Sequence, residues 1–237
     1  MGQAVRTAGR AAPSSIEEAR GGGGVARPGQ RGKGGGGGSG TGNPCTRLVA
    51  AALELFNRRG YAATTVREIV QAAGVTKPVL YYHFGSKEGI YTAILERSLE
   101  EFTTAVAALE AREGTVRERI ERLLGEVFDL FLQHQPVVRL VHAVFYGPAE
   151  GAPPFDFEKF HRVFHGAIRR LVEEGVARGE FRPGSVEDMA VLLHGVAAIC
   201  MDLELVELPE RPGRQGLERM LALIFRGIER KRSEEEA

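Results

Sequence analysis

From Asn43 onward the apolar residues return every three or four positions, and no segment sustains the two-residue alternation of a half-buried strand. Leu48, Ala52, Leu55 and Phe56 align on one helical face, with Asn43 and Pro44 suited to the start of that helix and Gly60 to its end. A short helix follows in "TTVREIVQAAG", where Thr65 and Glu68 stand at capping-box spacing and Gly74 closes the segment. Thr76 is placed to cap a third helix carrying Lys77 and Pro78 in its first turn, where proline forfeits no helical hydrogen bond. Ser86 is placed to cap a fourth. Beyond it the same period predicts helices over about 86–111, 115–134, 136–147, 156–179, 185–207 and 214–231. Gly114, Pro136, "YGPAEGAPP", "RGEFRPGS" and "LPERPGRQ" punctuate them, and the expected fold class is all-α.

Within the third helix, Leu80 and Phe84 fall together and point inward, Pro78 and Tyr82 fall opposite, and Tyr81 and His83 lie on the flanks. Exposed tyrosines gain nothing from water, so this face implies a partner surface that accepts aromatic bodies and hydroxyl donors. The pattern leaves two other readings open: Tyr81 packing at a seam, and His83 as a plain surface histidine. Lys87 stands at the first position of the fourth helix, a site where free backbone N–H groups favour a phosphate.

Composition changes this picture at the ends. Residues 1–44 hold 15 of the 31 glycines and almost no large apolar side chain, so residues 1–43 are expected to be a disordered tail, and 233–237 an acidic one. The net charge of zero conceals an asymmetry: +4 over 1–44, +3 over 45–90 and −7 over the rest. A basic front on an acidic body favours a polyanion at the front only. Cys45 and Cys200 match no metal spacing and read as free thiols. With no signal-like or membrane-length apolar run, the chain is expected to be soluble and cytoplasmic, working at the nucleoid, with no membrane contact.

A short helix, a tight glycine turn and an exposed second helix form the helix-turn-helix pattern. "AALELFNRRGYAATTVREIVQAAGVTKPVLYYHFGSKEGIY", residues 51–91, resembles the DNA-binding domain of tetracycline-repressor (TetR) family transcriptional regulators through G-Y-x-x-T-T-V-R-E-I, A-G-V, L-Y-Y-H-F and S-K-E. The resemblance implies a helix-turn-helix DNA-binding domain over 44–90 and a helical effector-binding and dimerisation domain over 91–232. It makes Thr65 and Arg67 groove and phosphate contacts. Thr76, Lys77, Pro78, Val79 and Tyr81 become the groove-facing set, and Tyr82, His83 and Lys87 the backbone clamps. Arg and Lys are suited to guanine O6 and N7, Tyr hydroxyls to phosphate, and Pro and Val to a thymine methyl. Position 79 is Val where many relatives carry a small or hydroxyl residue, so no operator sequence is implied. The function implied is a ligand-responsive regulator, a repressor released from operator DNA by a small apolar effector.

The body supports this less directly. Eight of the 17 Phe and Tyr residues fall between 128 and 164, a concentration that serves either as ordinary core or as the wall of an effector cavity. The pocket candidates are Phe102, Phe128, Phe131, His142, Phe145, Tyr146, Phe160, His161, Phe164 and His194. Met189–Val206 is apolar nearly all round and needs cover on more than one side: it is either the centre of a monomeric bundle or half of a homodimer seam. The resemblance implies the seam, with Leu192, Val196, Ile199 and Leu203 facing Leu217, Met220, Leu221, Ile224 and Ile228. His161 and His165 are spaced i,i+4 with Glu158 one turn earlier, but no further ligand completes the set in sequence, so neither metal nor cofactor is expected. No nucleophile elbow, phosphate loop or paired-carboxylate motif points to an enzyme. An adaptor regulated by a protein partner remains a second reading, separable by whether the body contains a cavity.

Overall fold

The computed structural model describes residues 43–146, 151–206 and 211–229, so the expected glycine-rich and acidic tails lie outside the described residues. The described residues form nine helices: α1 Pro44–Ala63, α2 Val66–Ala72, α3 Lys77–Phe84, α4 Lys87–Glu110, α5 Val116–Gln133, α6 Gln135–Tyr146, α7 Glu158–Ala177, α8 Val186–Leu205 and α9 Gly213–Ile228. Each predicted helix is present within a few residues of its expected span. The one β-type pairing among the described residues is an isolated bridge between Phe181 and Glu229.

Local chemistry explains the breaks. Asn43 accepts from the Cys45 N–H at 3.0 Å, and α1 loses helical geometry at Gly60, whose φ of 79° is costly for any residue with a Cβ. Thr65 and Glu68 form the full capping box at the start of α2. Thr76 has the extended backbone of a cap, but its side chain makes no capping bond, unlike the expectation from its position. Ser86 does cap α4, accepting from the Gly89 N–H at 2.9 Å. Gly89 is required there because a Cβ would stand 1.8 Å from the Phe84 carbonyl oxygen.

Two apolar clusters organise the packing. The first joins Leu48, Leu55, Phe56, Ile69, Leu80, Ile90, Tyr91 and Leu95 from α1–α4 with Leu140 from α6. The second gathers α5, α7, α8 and α9 around Phe128, Ile168, Leu171, Phe181, Leu193, Leu217 and Phe225. Helix α4 links the two, with Ile90, Tyr91 and Leu95 in the first cluster and Val106 and Leu109 in the second, and α6 adds another link. Leu140, Val137, Val141 and Val144 of α6 belong to the head cluster, and the Asn57 side chain donates to the Pro136 carbonyl at 2.7 Å.

Candidate DNA-binding face and effector cavity

The α3 helix is held by its inner face alone. Leu80 is fully buried, while Thr76, Lys77, Pro78, Tyr81, Tyr82 and His83 are exposed and Val79 is half-buried. Tyr82 keeps 86% of its surface open, edge-on to His83 at 5.0 Å. Arg67 projects from the exposed side of α2, and neither it nor Lys77 has an ion pair among the described residues. Most arginines of the body, in contrast, are paired, as Arg119 is to Glu174 and Arg170 to Glu110. The α2–α3 face thus carries uncommitted cations and phenol hydroxyls.

Two expected contacts are committed within the head instead. The Thr65 hydroxyl donates to Glu68 Oε2 at 2.8 Å and accepts the Glu68 N–H at 3.3 Å, while Arg59 holds the other carboxylate oxygen at 2.6 Å. Those hydrogen bonds, the one from Thr65 first, keep the Glu68 carboxyl below its ordinary range. Lys87, implied as a phosphate clamp, turns inward. Its ammonium donates to the Tyr61 and Thr64 carbonyls at 2.8 and 2.9 Å and lies 4.1 Å from the Tyr61 ring centroid. These carbonyls follow the break at Gly60. A cation at a helix N-terminus is disfavoured by the macrodipole, and the Lys87 stem carries the charge away to acceptors that need it. Burial pushes the Lys87 pKa below its ordinary value.

A cavity of ≈ 360 Å³ opens between α4, α5, α6, α7 and α8. Of the pocket candidates, Phe102, Phe131, Phe160, Phe164, His142, His161 and His194 line it, together with Leu130, Val137, Val138, Val141 and Met201, which the sequence pattern does not single out. Phe128 does not line it: one turn before Phe131 on α5, it is sealed at 0% exposure in the second cluster. The side chains of Phe145 and Tyr146 lie outside the described residues. At one end of the cavity His142 stands 3.7 Å from Asp202. At another, the His194 ring of α8 meets the stacked His161 and His165 rings of α7, with centroids 4.5 and 5.5 Å away. Burial, then the two neighbouring imidazoles, hold the His194 pKa down to about 4. A wider trough on the α4 surface, walled by Glu96, Leu99, Glu100, Thr103, Phe155 and Lys159, mixes polar and apolar side chains and is open to water.

The expected homodimer seam is corrected in part. Leu192 and Ile199 are exposed, and Val196, Leu203, Met220 and Ile224 are half-buried. Leu217, Leu221 and Ile228 are buried in the chain's own core and unavailable to a partner. The regular stripe on α9 is its inward face; the outward one presents Leu223 at 64% exposure, and Val191 on α8 and Val206 just after that helix are exposed as well.

A family model described as bacterial regulatory proteins, tetR family, matches residues 48–94. The chain is 39% identical over 87 residues to the HTH-type transcriptional activator FasR of Mycolicibacterium smegmatis, spanning 37% of this chain and 39% of that protein. It is 30% identical over 145 residues to the HTH-type transcriptional repressor KstR2 of the same organism, spanning 57% of this chain and 66% of that protein. The solved ketosteroid transcriptional regulator KstR2 of Mycobacterium tuberculosis shares the fold at a TM-score of 0.61 and 22% identity, over 80% of this chain and 96% of that one. The chain therefore spans less than two thirds of the FasR and KstR2 sequences of M. smegmatis that it matches.

Proposed function

The chain belongs to the tetR family of bacterial regulatory proteins, and from that membership we propose that it is a ligand-responsive repressor that binds a pseudo-palindromic duplex as a homodimer. One observation carries this reading. Among the described residues the exposed large hydrophobic side chains are, first, Tyr81 and Tyr82 on α3 and, second, Val191, Leu192 and Ile199 on α8, Val206 just after it and Leu223 on α9, which packs against α8. The first group, interleaved with Lys77 and near Arg67, suits a groove with phosphate rims; the second suits another copy of the same surface.

The cavity supports small-molecule control over control by a protein partner. Half of its lining residues are Phe, Val and Leu, and four are histidines, so an apolar effector with one or two polar groups fits. Two helices run from it into the head. Ser98, Glu101 and Phe102 of α4 and Val137, Val138 and Val141 of α6 face the cavity, while Ile90, Tyr91 and Leu95 of α4 and Leu140 of α6 pack in the head cluster. An effector that wedges α6 from α4 tilts the head. In a dimer, paired α3 helices must sit about 34–36 Å apart or at a larger matched spacing, so a tilt in each subunit breaks the register.

An effector acts this way only if it prefers the tilted state, and a coupling of about 1–3 kcal/mol changes DNA affinity roughly 5- to 150-fold. By linkage, DNA weakens the effector equally. The test is to find a binder by thermal-shift screening and titrate it with and without a selected duplex. The same reciprocal factor in both directions is expected; equal ligand affinity with and without DNA contradicts the coupling.

A further inference from the structure

We propose that His161, His165 and His194 form a binding site for a divalent late first-row transition metal of the zinc type, in the wall of the cavity between α7 and α8. One ring nitrogen from each histidine lies within 4.8 Å of the others. A tetrahedral ion with Zn–N of about 2.1 Å needs its ligand nitrogens roughly 3.4 Å apart. Closing the set therefore requires side-chain rotation of the order of an ångström, and His161 is exposed and free to make it.

Three further features point to a ligand. His194 Nδ1 is buried with no hydrogen-bond partner, which is costly for an imidazole nitrogen unless something binds it. His165 Nε2 lies 3.0 Å from Glu187 Oε1, and Arg169 stands 3.8 Å from the other oxygen of that carboxylate. A carboxylate accepting one ring N–H fixes the tautomer and presents the opposite nitrogen to a metal, the usual outer support of a histidine ligand. Finally, Phe164 packs 5.1 Å from the His194 ring, giving the cluster one dry side.

The donor set decides the class of ion. Three neutral imidazoles suit Zn²⁺, Co²⁺, Ni²⁺ or Cu²⁺ and offer little to Mg²⁺ or Ca²⁺, which prefer oxygen. Glu158 takes no part: it is exposed and paired with Arg162 at 3.1 Å. Three protein ligands leave a coordination position open. His161 and His194 both line the cavity. That position would accept water or the donor atom of an effector, which narrows the effector class to apolar molecules carrying a metal-binding carboxylate, thiol or azole. The effector clause rests on the regulatory reading; the metal site does not, and it is tested without DNA.

The experiment uses the full chain, free of affinity tags and stripped with chelator. Zinc titration by calorimetry is expected to give one saturable site per chain, with no comparable uptake of Mg²⁺. Cobalt is expected to bind with the visible absorption of a low-coordinate nitrogen site. His161→Ala and His194→Gln should each weaken zinc at least about tenfold, and Glu187→Gln, which removes no ligand, about tenfold or more. Circular dichroism checks that each variant is folded, and His161, at the surface, is the one least able to disturb the core. No saturable zinc uptake by the folded wild type, or unchanged affinity in folded His161→Ala, overturns the site.

Discussion

Replacing Lys87 by Met separates two roles that its position makes equally natural. Methionine keeps the unbranched stem and the helix propensity of lysine and removes only the ammonium. That ammonium donates to two carbonyls, at 2.8 and 2.9 Å, and lies 4.1 Å from the Tyr61 ring centroid. A hydrogen bond to a charged group contributes about 1.5–3 kcal/mol. Partial desolvation of the ammonium and relief of its position at the N-terminus of α4 offset part of that, leaving a net loss of about 2–3 kcal/mol. For a folded unit of this size each kcal/mol moves Tm by about 2–4 °C, so a fall of roughly 4–12 °C is expected. DNA binding supplies the second readout. A lysine on a phosphate contributes about 0.9 to the slope of log affinity against log salt. A lysine bound to carbonyls contributes none, so Lys87→Met should bind DNA with an unchanged slope. An unchanged Tm together with a slope reduced by about one would refute the inward role and restore the phosphate clamp.

Arg67→Ala and Lys77→Ala, which remove exposed and unpaired cations, should each cost about 1–3 kcal/mol of discrimination between a selected duplex and a scrambled one, measured by anisotropy at fixed salt, with little change in Tm. Leu223→Glu should abolish the proposed homodimer in sedimentation, because pairing through that face would bury an unpaired charge at a cost on the order of 3–5 kcal/mol, whereas Leu221→Ala should lower Tm through the chain's own core. Tyr91 is fully buried with a hydroxyl that has no partner, and burial followed by the charge of Tyr61 pushes its pKa up to about 12. Because the folded pKa exceeds the unfolded one, its contribution is intact below pH 10 and is lost as pH rises towards 12. Tyr91→Phe should therefore leave stability at neutral pH unchanged or raised by up to about 1 kcal/mol and flatten the alkaline loss in denaturant melts; a large loss at pH 7 would show that the hydroxyl has a partner.

The head was legible because its signals are local. Thr65 with Glu68, Ser86 ahead of Gly89, Gly60 after Arg59 and Pro78 in a first turn each declare a boundary from within four residues. The outward face of α3 followed from its own period. Apart from the Thr76 side chain, which makes no capping bond, what differed depended on tertiary partners. Nothing near Lys87 in sequence marks the Tyr61 and Thr64 carbonyls as its acceptors. The apolar stripe of α9 was visible, but periodicity cannot say whether a stripe faces its own core or another chain, and here Leu217 and Leu221 face the core. His194 joins His161 and His165 only because α8 packs on α7, and Phe128 leaves the cavity because α5 rotates it inward while Phe131 faces out.

The most direct test of sequence-specific operator binding is selection of bound duplexes from a random pool by the full chain at physiological salt, followed by sedimentation of the best complex. An inverted repeat is expected to emerge, with protein chains bound in pairs, and its enrichment should weaken with Arg67→Ala or Lys77→Ala. A pool that stays random, or a selected duplex bound no tighter than its scrambled counterpart, would contradict it.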